Sequence, residues 1–303
     1  MDITYNILVK NTLQMRNISI LSLFCLLFAC DNEKTQPIEM VAVPSLELLS
    51  DKSVGKDSSQ KIQISLESFY ISNEITNKEY REFTDWVKNN PDQILVRTKE
   101  IKGSKNEFGK TRIWTIPVLI GMDELLPKVI DSSSLYKLDK SYKNYFTDEK
   151  YDDYPVVGVS RNNAEYFCCW KTNFEFVWKK VGHGKSKIYT ARGPETHFRL
   201  PQEIEWEYVA KQPLKKSMSN DHSIRKVDEG NTNKWGISHL VDNVSEWVMS
   251  SDDTLAISRG GSWRTNSNIS DRERMDPDSS SGNIGFRIVR TFTPIGINKK
   301  PNK

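Results

Sequence analysis

Apolar positions along this chain recur at two different periods, and the change from one to the other marks its elements. Ile62, Ile64 and Leu66 alternate with polar residues, a period of two that predicts a half-buried strand running into Phe69-Tyr70-Ile71. The period then lengthens. Tyr80, Phe83 and Val87 recur at helical spacing, Thr76 with Glu79 three positions on forms a capping-box pattern, and Asn89-Asn90-Pro91 stops the run. Tyr80 and Phe83 are expected in the core. Tyr154-Pro155-Val156-Val157-Gly158-Val159 leads into a second helix, with Ser160 as its cap and Ala164, Phe167 and Cys168 on one face beside Trp170. Phe198-Arg199-Leu200-Pro201 opens a third, where Pro201 suits the first turn and Glu203 and Glu205 complement the positive end of the helix dipole.

Elsewhere the pattern is weaker. Residues 94–150 read as a long, mostly irregular insertion with one strand over residues 112–119, and residues 51–60 read as a polar surface loop. Beyond the third helix the chain is rich in Gly, Ser and Asn, with short apolar segments at 236–248 and 285–289 that suit strands joined by tight turns. Helices and strands do not alternate regularly, so the fold class is α+β.

The amino terminus breaks from this pattern altogether. After Met15-Arg16-Asn17, residues 18–29 are apolar or small, too short a run to span a bilayer but suited to the hydrophobic region of a secretory signal. It ends in Leu27-Phe28-Ala29-Cys30, the pattern of a bacterial lipobox, which makes Cys30 the expected site of lipidation. Residues 1–14 read as an extension upstream of a start at Met15. The expected organisation is therefore extension and signal over 1–30, a polar tether over 31–39, one domain over 40–293 and a polar tail over 294–303.

Composition narrows the function. Lys and Arg total 43 against 40 Asp and Glu, a net charge of +3 with the signs interspersed, which argues against a nucleic-acid partner. No segment repeats at a fixed period. Only Cys168 and Cys169 lie beyond the signal, and adjacent cysteines rarely bridge each other, so no disulfide framework is available. His183, His197, His222 and His239 show no metal-ligand spacing, and Gly182-His183-Gly184-Lys185 reads as a surface turn and not a phosphate loop.

Several segments in order resemble the formylglycine-generating, or sulfatase-modifying factor, family. They are Met40-Val41-Ala42-Val43-Pro44, Glu74-Ile75-Thr76-Asn77-Lys78-Glu79-Tyr80, the Tyr154 to Ser160 phrase with its helix, and Arg199-Leu200-Pro201-Gln202-Glu203-Ile204-Glu205-Trp206-Glu207-Tyr208. Asn243-Val244-Ser245-Glu246-Trp247, Arg259-Gly260-Gly261-Ser262-Trp263 and Gly285-Phe286-Arg287 complete the set. The resemblance implies a compact, C-type-lectin-related α+β body with much irregular chain. It also implies chemistry to look for, because catalytic members oxidise a substrate cysteine with oxygen at a copper ion held by two cysteines. A thiolate pair suits monovalent copper. The matching positions here are Thr265 and Ser270, neither of which supplies a thiolate, and no catalytic residue is expected; Cys168 and Cys169 are read as structural thiols.

By the same resemblance a structural calcium would be held by the side chain or carbonyl at His239, the carbonyls of Asp242 and Val244 and the carboxylate of Glu246, hard oxygen ligands being what calcium favours. No other cofactor is expected. Trp263, Arg264, Arg272 and Arg274 would line the degenerate groove and receive a peptide or partner. Within the family, the lipobox, the phrase Glu74 to Tyr80 followed by Trp86-Val87, and the segment Tyr151-Asp152-Asp153-Tyr154-Pro155 are most similar to gliding-motility lipoproteins of Bacteroidetes, which implies an outer-membrane lipoprotein facing the periplasm. Its partners would be proteins of the type IX secretion and gliding machinery, in a homo- or hetero-oligomer. Two other functions stay open: oxygen-dependent modification of exported proteins, and lectin-like binding of carbohydrate.

Overall fold

The computed structural model describes residues 38–53, 59–90, 94–105, 111–121, 129–172, 196–215, 222–230, 232–249, 254–265 and 269–292. Cys30 with its signal, residues 31–37 of the tether, Gly182-His183-Gly184-Lys185 and the tail lie outside them. The described residues fall within one compact unit, Gln36–Lys303. Among them no helix is long and apolar enough to cross a membrane.

Two four-stranded sheets frame the body. The first takes β1 (Met40–Val43), β4 (Phe69–Glu74), β12 (Arg287–Phe292) and β7 (Thr196–Arg199) in that order, all antiparallel. The second runs β10 (Arg272–Met275), β9 (Ala256–Arg259), β8 (Ser245–Val248) and β11 (Ile284–Gly285), antiparallel except that β11 lies parallel to β8. Chain-remote elements therefore meet at the centre: β4 of the amino-terminal third pairs with β12 near the carboxyl end. This mixed architecture is the α+β class expected.

Two two-stranded hairpins correct the sequence reading. β2 (Leu46–Ser53) pairs with β3 (Ser59–Leu66), so Asp51, Lys52 and Ser53 stand opposite Lys61, Gln60 and Ser59 in a ladder where a loop was expected. Backbone hydrogen bonds sustain such a ladder whatever the side chains, and polar composition alone does not distinguish it from a loop. The strand expected to run from Ile62 into Ile71 is two strands, broken at Glu67 and Ser68. The strand expected over residues 112–119 is β6 (Thr111–Gly121), but the segment before it, expected to be irregular, forms β5 (Ile94–Lys105), paired with β6 from Ile94 opposite Gly121 to Lys105 opposite Thr111. The β-branched residues of both segments favour extended backbone. Lysines interleaved in β5 hide the alternation that would have announced it.

The first helix, α1 (Asn77–Asn89), follows its sequence signature. Thr76 Oγ1 accepts from the Glu79 amide at 3.1 Å while Glu79 Oε2 accepts from the Thr76 amide at 2.8 Å, closing the capping box. Replacing Thr76 with alanine is expected to cost about 1 kcal/mol. In a domain of this size that lowers the thermal midpoint by about 2–4 °C, readable by circular dichroism. After the five-residue α2 (Ser134–Leu138) and a helical turn at Glu149–Tyr151, α3 (Arg161–Thr172) begins beside Ser160, whose Oγ accepts from the Asn163 amide at 3.2 Å. The last helix, α4 (Glu203–Ala210), starts later than expected. Phe198 and Arg199 belong to β7, and Pro201 precedes the Gln202 cap because its carbonyl is bound by the Met249 amide, which anchors the helix entrance to the second sheet.

Aromatic rings fill the space between α1, α3 and the sheets. Tyr80, Phe83, Phe167, Trp170 and Phe286 are all buried, with Tyr80 stacked on Phe167 at 5.6 Å and edge-on to Phe286 at 5.9 Å. Each buried ring of this kind contributes about 1.5–3 kcal/mol from removal of apolar surface. A second cluster joins Phe69, Ile71 and Val289 of the first sheet to Trp206 and Val209 of α4 and to Val248 and Ile257 of the second sheet. A third gathers Leu135, Tyr145, Val157, Val244 and Trp263.

Candidate functional site

The segment Gly260-Gly261-Ser262-Trp263 leaves β9 and lies directly against the chain before β8. A Cβ on Gly261 would stand 2.2 Å from the Val241 carbonyl oxygen, and Gly260 has φ +84°, so both positions require glycine. The approach seats a tight turn. The Ser262 amide donates to the Thr265 carbonyl at 3.1 Å, the Thr265 amide returns a bond at 3.0 Å, and the two hydroxyls lie 2.9 Å apart. Trp263 is buried, its amide bound to the Asn243 carbonyl at 2.7 Å and its indole N–H to the Gly282 carbonyl at 3.3 Å.

Thr265 and Ser270, the positions matching the family's copper-binding cysteines, are both exposed. Their hydroxyls are hard, protonated donors, the opposite of the soft thiolate pair that monovalent copper takes. These residues do not fit that ion, and no redox step is derived through them. Cys168 is buried on α3 and Cys169 partly so. Among the described residues no three or more His, Cys, Asp or Glu side chains are grouped to hold a metal.

The four groove positions are held in different ways. Arg264 lies over the Trp263 ring at 5.9 Å. Arg272 instead donates from Nε to Glu203 and stands 3.7 Å from Glu207, both on α4, while Arg274 is exposed on the edge strand β10. Arg259, fully buried one strand in, binds the same two carboxylates, with its guanidinium 5.2 Å from the Trp206 ring centre. These arginines clamp α4 to the second sheet.

The segment expected to hold calcium is built around other charges. His239 and Asn243 take left-handed backbone, at φ +57° and +62°, and turn inward. His239 Nδ1 is 2.9 Å from Asp242 Oδ1 and its Nε2 is 3.1 Å from the Lys226 carbonyl, while Asp242 Oδ2 is paired with Arg225. Glu246 is fully buried: its Oε2 accepts from Arg287 Nε at 2.6 Å and from the Trp206 indole N–H at 2.7 Å, and its Oε1 pairs with Arg287 Nη2. Arg287, equally buried, also donates to the carbonyls of Ser72 at 3.0 Å and Ser238 at 3.1 Å. Val244 is buried in the third apolar cluster. The one carboxylate the resemblance assigns to calcium, that of Glu246, is thus committed to the Arg287 guanidinium and the Trp206 indole, and it does not fit that ion.

Beside the pair lies Glu74, at the end of β4. Its Oε2 accepts from Asn243 Nδ2 at 2.7 Å, and its Oε1 is buried with no hydrogen-bond partner among the described residues. Burial pushes its pKa up to about 8; His239 and Arg287 oppose that rise and the Glu246 carboxylate adds to it. Burial works against the His239 cation, yet the Asp242 and Glu74 carboxylates carry its pKa above the ordinary value. Asp242 is held below its usual range by His239 and Arg225 against the opposing effect of burial. Sequence reading did not assign Glu74, Arg225 or the Arg287 pairing. The signal available was the presence of Glu246 and Arg287 in two separate family segments, whose partnership only the fold displays.

The family profile described as "Sulfatase-modifying factor enzyme 1-like domain" matches residues 29–292. The chain belongs to this family. Among curated sulfatase-modifying factor relatives, it is 25% identical over 306 residues to inactive C-alpha-formylglycine-generating enzyme 2 of Bos taurus, covering 84% of this chain and 88% of the relative. The Mus musculus protein of the same name is 24% identical over 260 residues, covering 71% and 72%. Solved structures with similar folds include CarF, at TM-score 0.47 and 18% identity over 84% of this chain and 99% of that one. PvdO from Pseudomonas aeruginosa aligns at TM-score 0.47 and 17% identity over 84% and 94%.

Proposed function

We propose that this chain is a non-catalytic, lipid-anchored member of the sulfatase-modifying factor family that serves as a structural, partner-binding component of envelope machinery. The observation that carries the reading is the pair of exposed hydroxyls at Thr265 and Ser270, set in an otherwise intact scaffold where the family's catalytic members place thiolates. A domain that keeps its buried framework and loses its metal donors retains surfaces and not chemistry. Curated relatives that cover most of the chain bear the name inactive, which supports the same direction.

The finer assignment rests on the lipobox at Cys30 and the segment at residues 151–155, which resemble gliding-motility lipoprotein K, the ring subunit of type IX secretion. On that reading the acyl group holds the domain at the periplasmic face of the outer membrane, and the partners are proteins of the secretion and gliding machinery. A tagged chain that retains Cys30 is purified from detergent-solubilised membranes and its co-purifying proteins and bound metals are identified by mass spectrometry. Secretion or gliding subunits without copper are expected, together with no conversion of a cysteine peptide to its aldehyde. Copper, recovered sulfatases and peptide oxidation would return the protein to the enzymes.

A further inference from the structure

A cleft of about 370 Å³ opens between α2, with the residues just before it, and the turn over residues 143–147; neither Thr265 nor Ser270 lines it. Phe146 is the buried side chain in its lining, 6.3 Å from the Tyr80 ring in the first apolar cluster, and its carbonyl accepts from Arg81 Nη1 at 2.7 Å. Both walls are fixed by local bonds. On one, Asp131 Oδ1 accepts from the Ser133 amide at 3.1 Å and from its hydroxyl at 2.7 Å, while Oδ2 accepts from Lys137 Nζ at 2.8 Å. On the other, the Asn144 carbonyl accepts from the amides of Thr147 and Asp148, each at 2.9 Å, and Asn144 takes left-handed backbone at φ +57°. A residue other than glycine keeps that conformation where its surroundings hold it there.

The lining combines polar, cationic and aromatic groups. The Ser132 hydroxyl, the Lys143 ammonium and the Asn144 side-chain amide each lack a protein partner among the described residues. Tyr136 exposes its ring to the cleft, with Lys140 Nζ 4.2 Å from the ring centre. No carboxylate lines the cleft, so it offers a metal cation no acidic ligand and favours an anion. Its volume falls within the range of about 300–1,000 Å³ common to small-molecule sites. We propose that this cleft binds an acidic monosaccharide, with the carboxylate at Lys143, ring hydroxyls at Ser132 and Asn144, and the C–H face of the sugar against Tyr136. Hydroxyl and amide groups both donate and accept, as sugar hydroxyls do, and an ammonium forms its stronger hydrogen bonds with a carboxylate. An aromatic ring supplies the flat apolar surface that the C–H face requires. The site depends on neither the lipid anchor nor a metal.

The full chain in detergent solution is titrated with glucuronate, glucose and acetate, and binding is read by ligand-observed nuclear magnetic resonance. Glucuronate is expected to bind with a Kd of about 1 mM. Glucose, which lacks the charge, and acetate, which lacks the ring, should each bind about ten-fold more weakly. Lys143→Gln should weaken glucuronate binding about ten-fold and Tyr136→Ala about five-fold. Lys234→Gln, which removes the same charge from a position outside the cleft, should leave it unchanged. Both cleft positions are exposed, and the circular dichroism spectrum of each variant should match that of the parent. No binding of glucuronate, or glucose or acetate binding as tightly, would overturn the proposal. So would equal losses from Lys143→Gln and Lys234→Gln, which would reduce the effect to the overall charge of the protein.

Discussion

Replacing Glu246 with alanine is expected to cost about 3–5 kcal/mol, because it leaves the Arg287 guanidinium charged and unpaired in the interior. Both side chains are fully buried, and the Trp206 indole N–H loses its acceptor at the same stroke. Against a typical domain stability of about 5–15 kcal/mol, the variant should show a strongly lowered urea midpoint. A second variant guards against the outcome in which the first simply fails to fold. Glu246→Gln keeps one oxygen that can accept from Arg287 Nε and the Trp206 indole but removes the charge and sets an amide N–H2 against Arg287 Nη2, so its loss should be smaller than that of alanine. Replacing the two partners together, Glu246→Leu with Arg287→Met, should recover much of the loss, since the desolvation of both ions is removed with their attraction. The same measurements bear on the metal. If Glu246 is held by Arg287, a chelator leaves the wild-type midpoint unchanged; a midpoint that falls with chelator and returns with calcium would sink the ion-pair account.

What could be read from the sequence was what lies close in the chain. The Thr76 and Glu79 box, the helical spacing of Tyr80, Phe83 and Val87, and the face of Phe167 and Cys168 are each decided within one or two turns, and all three appear where the pattern puts them. The family segments also announced the fold class. The charged centre was not legible, because its parts are remote: Glu246 lies 41 residues from Arg287, and Glu74 lies 169 from Asn243. A lone glutamate in Asn243-Val244-Ser245-Glu246-Trp247 suits a metal ligand as well as an ion pair, and only the arrival of Arg287 from β12 decides between them. The first strand of the hairpin, residues 94–105, was missed for a different reason, although its partner was expected over residues 112–119. Its ladder is local, but its hydrophobic positions are interrupted by lysines, and periodicity was the signal relied on.

Stability is expected to fall as pH rises from about 4.5 to about 8, and Glu74 is the principal cause. Its carboxyl titrates near 4.5 in the unfolded chain and is raised to about 8 by burial in the native state, so between those values the folded protein holds a proton that the unfolded one has released. Stability decreases with pH wherever the native state binds more protons, by up to about 1.4 kcal/mol per pH unit for one group. Across the window the total is about 3–5 kcal/mol. His239, also raised, acts in the same direction: its contribution is complete below its unfolded value of 6.5 and is lost as pH climbs through its folded one. Asp242, lowered, sets the acid side, since its contribution is present above 3.8 and lost as pH falls through its folded value. Glu74→Gln tests the assignment. A glutamine carbonyl can still accept from Asn243 Nδ2, while the buried ionisation is gone. Urea midpoints should therefore fall less steeply with pH in the variant, leaving the slope that belongs to His239 and to Glu79, whose carboxyl burial also raises, and at pH 9 the variant should be the more stable protein. Parallel pH profiles for the two proteins would mean that Glu74 ionises in the fold as readily as in the open chain.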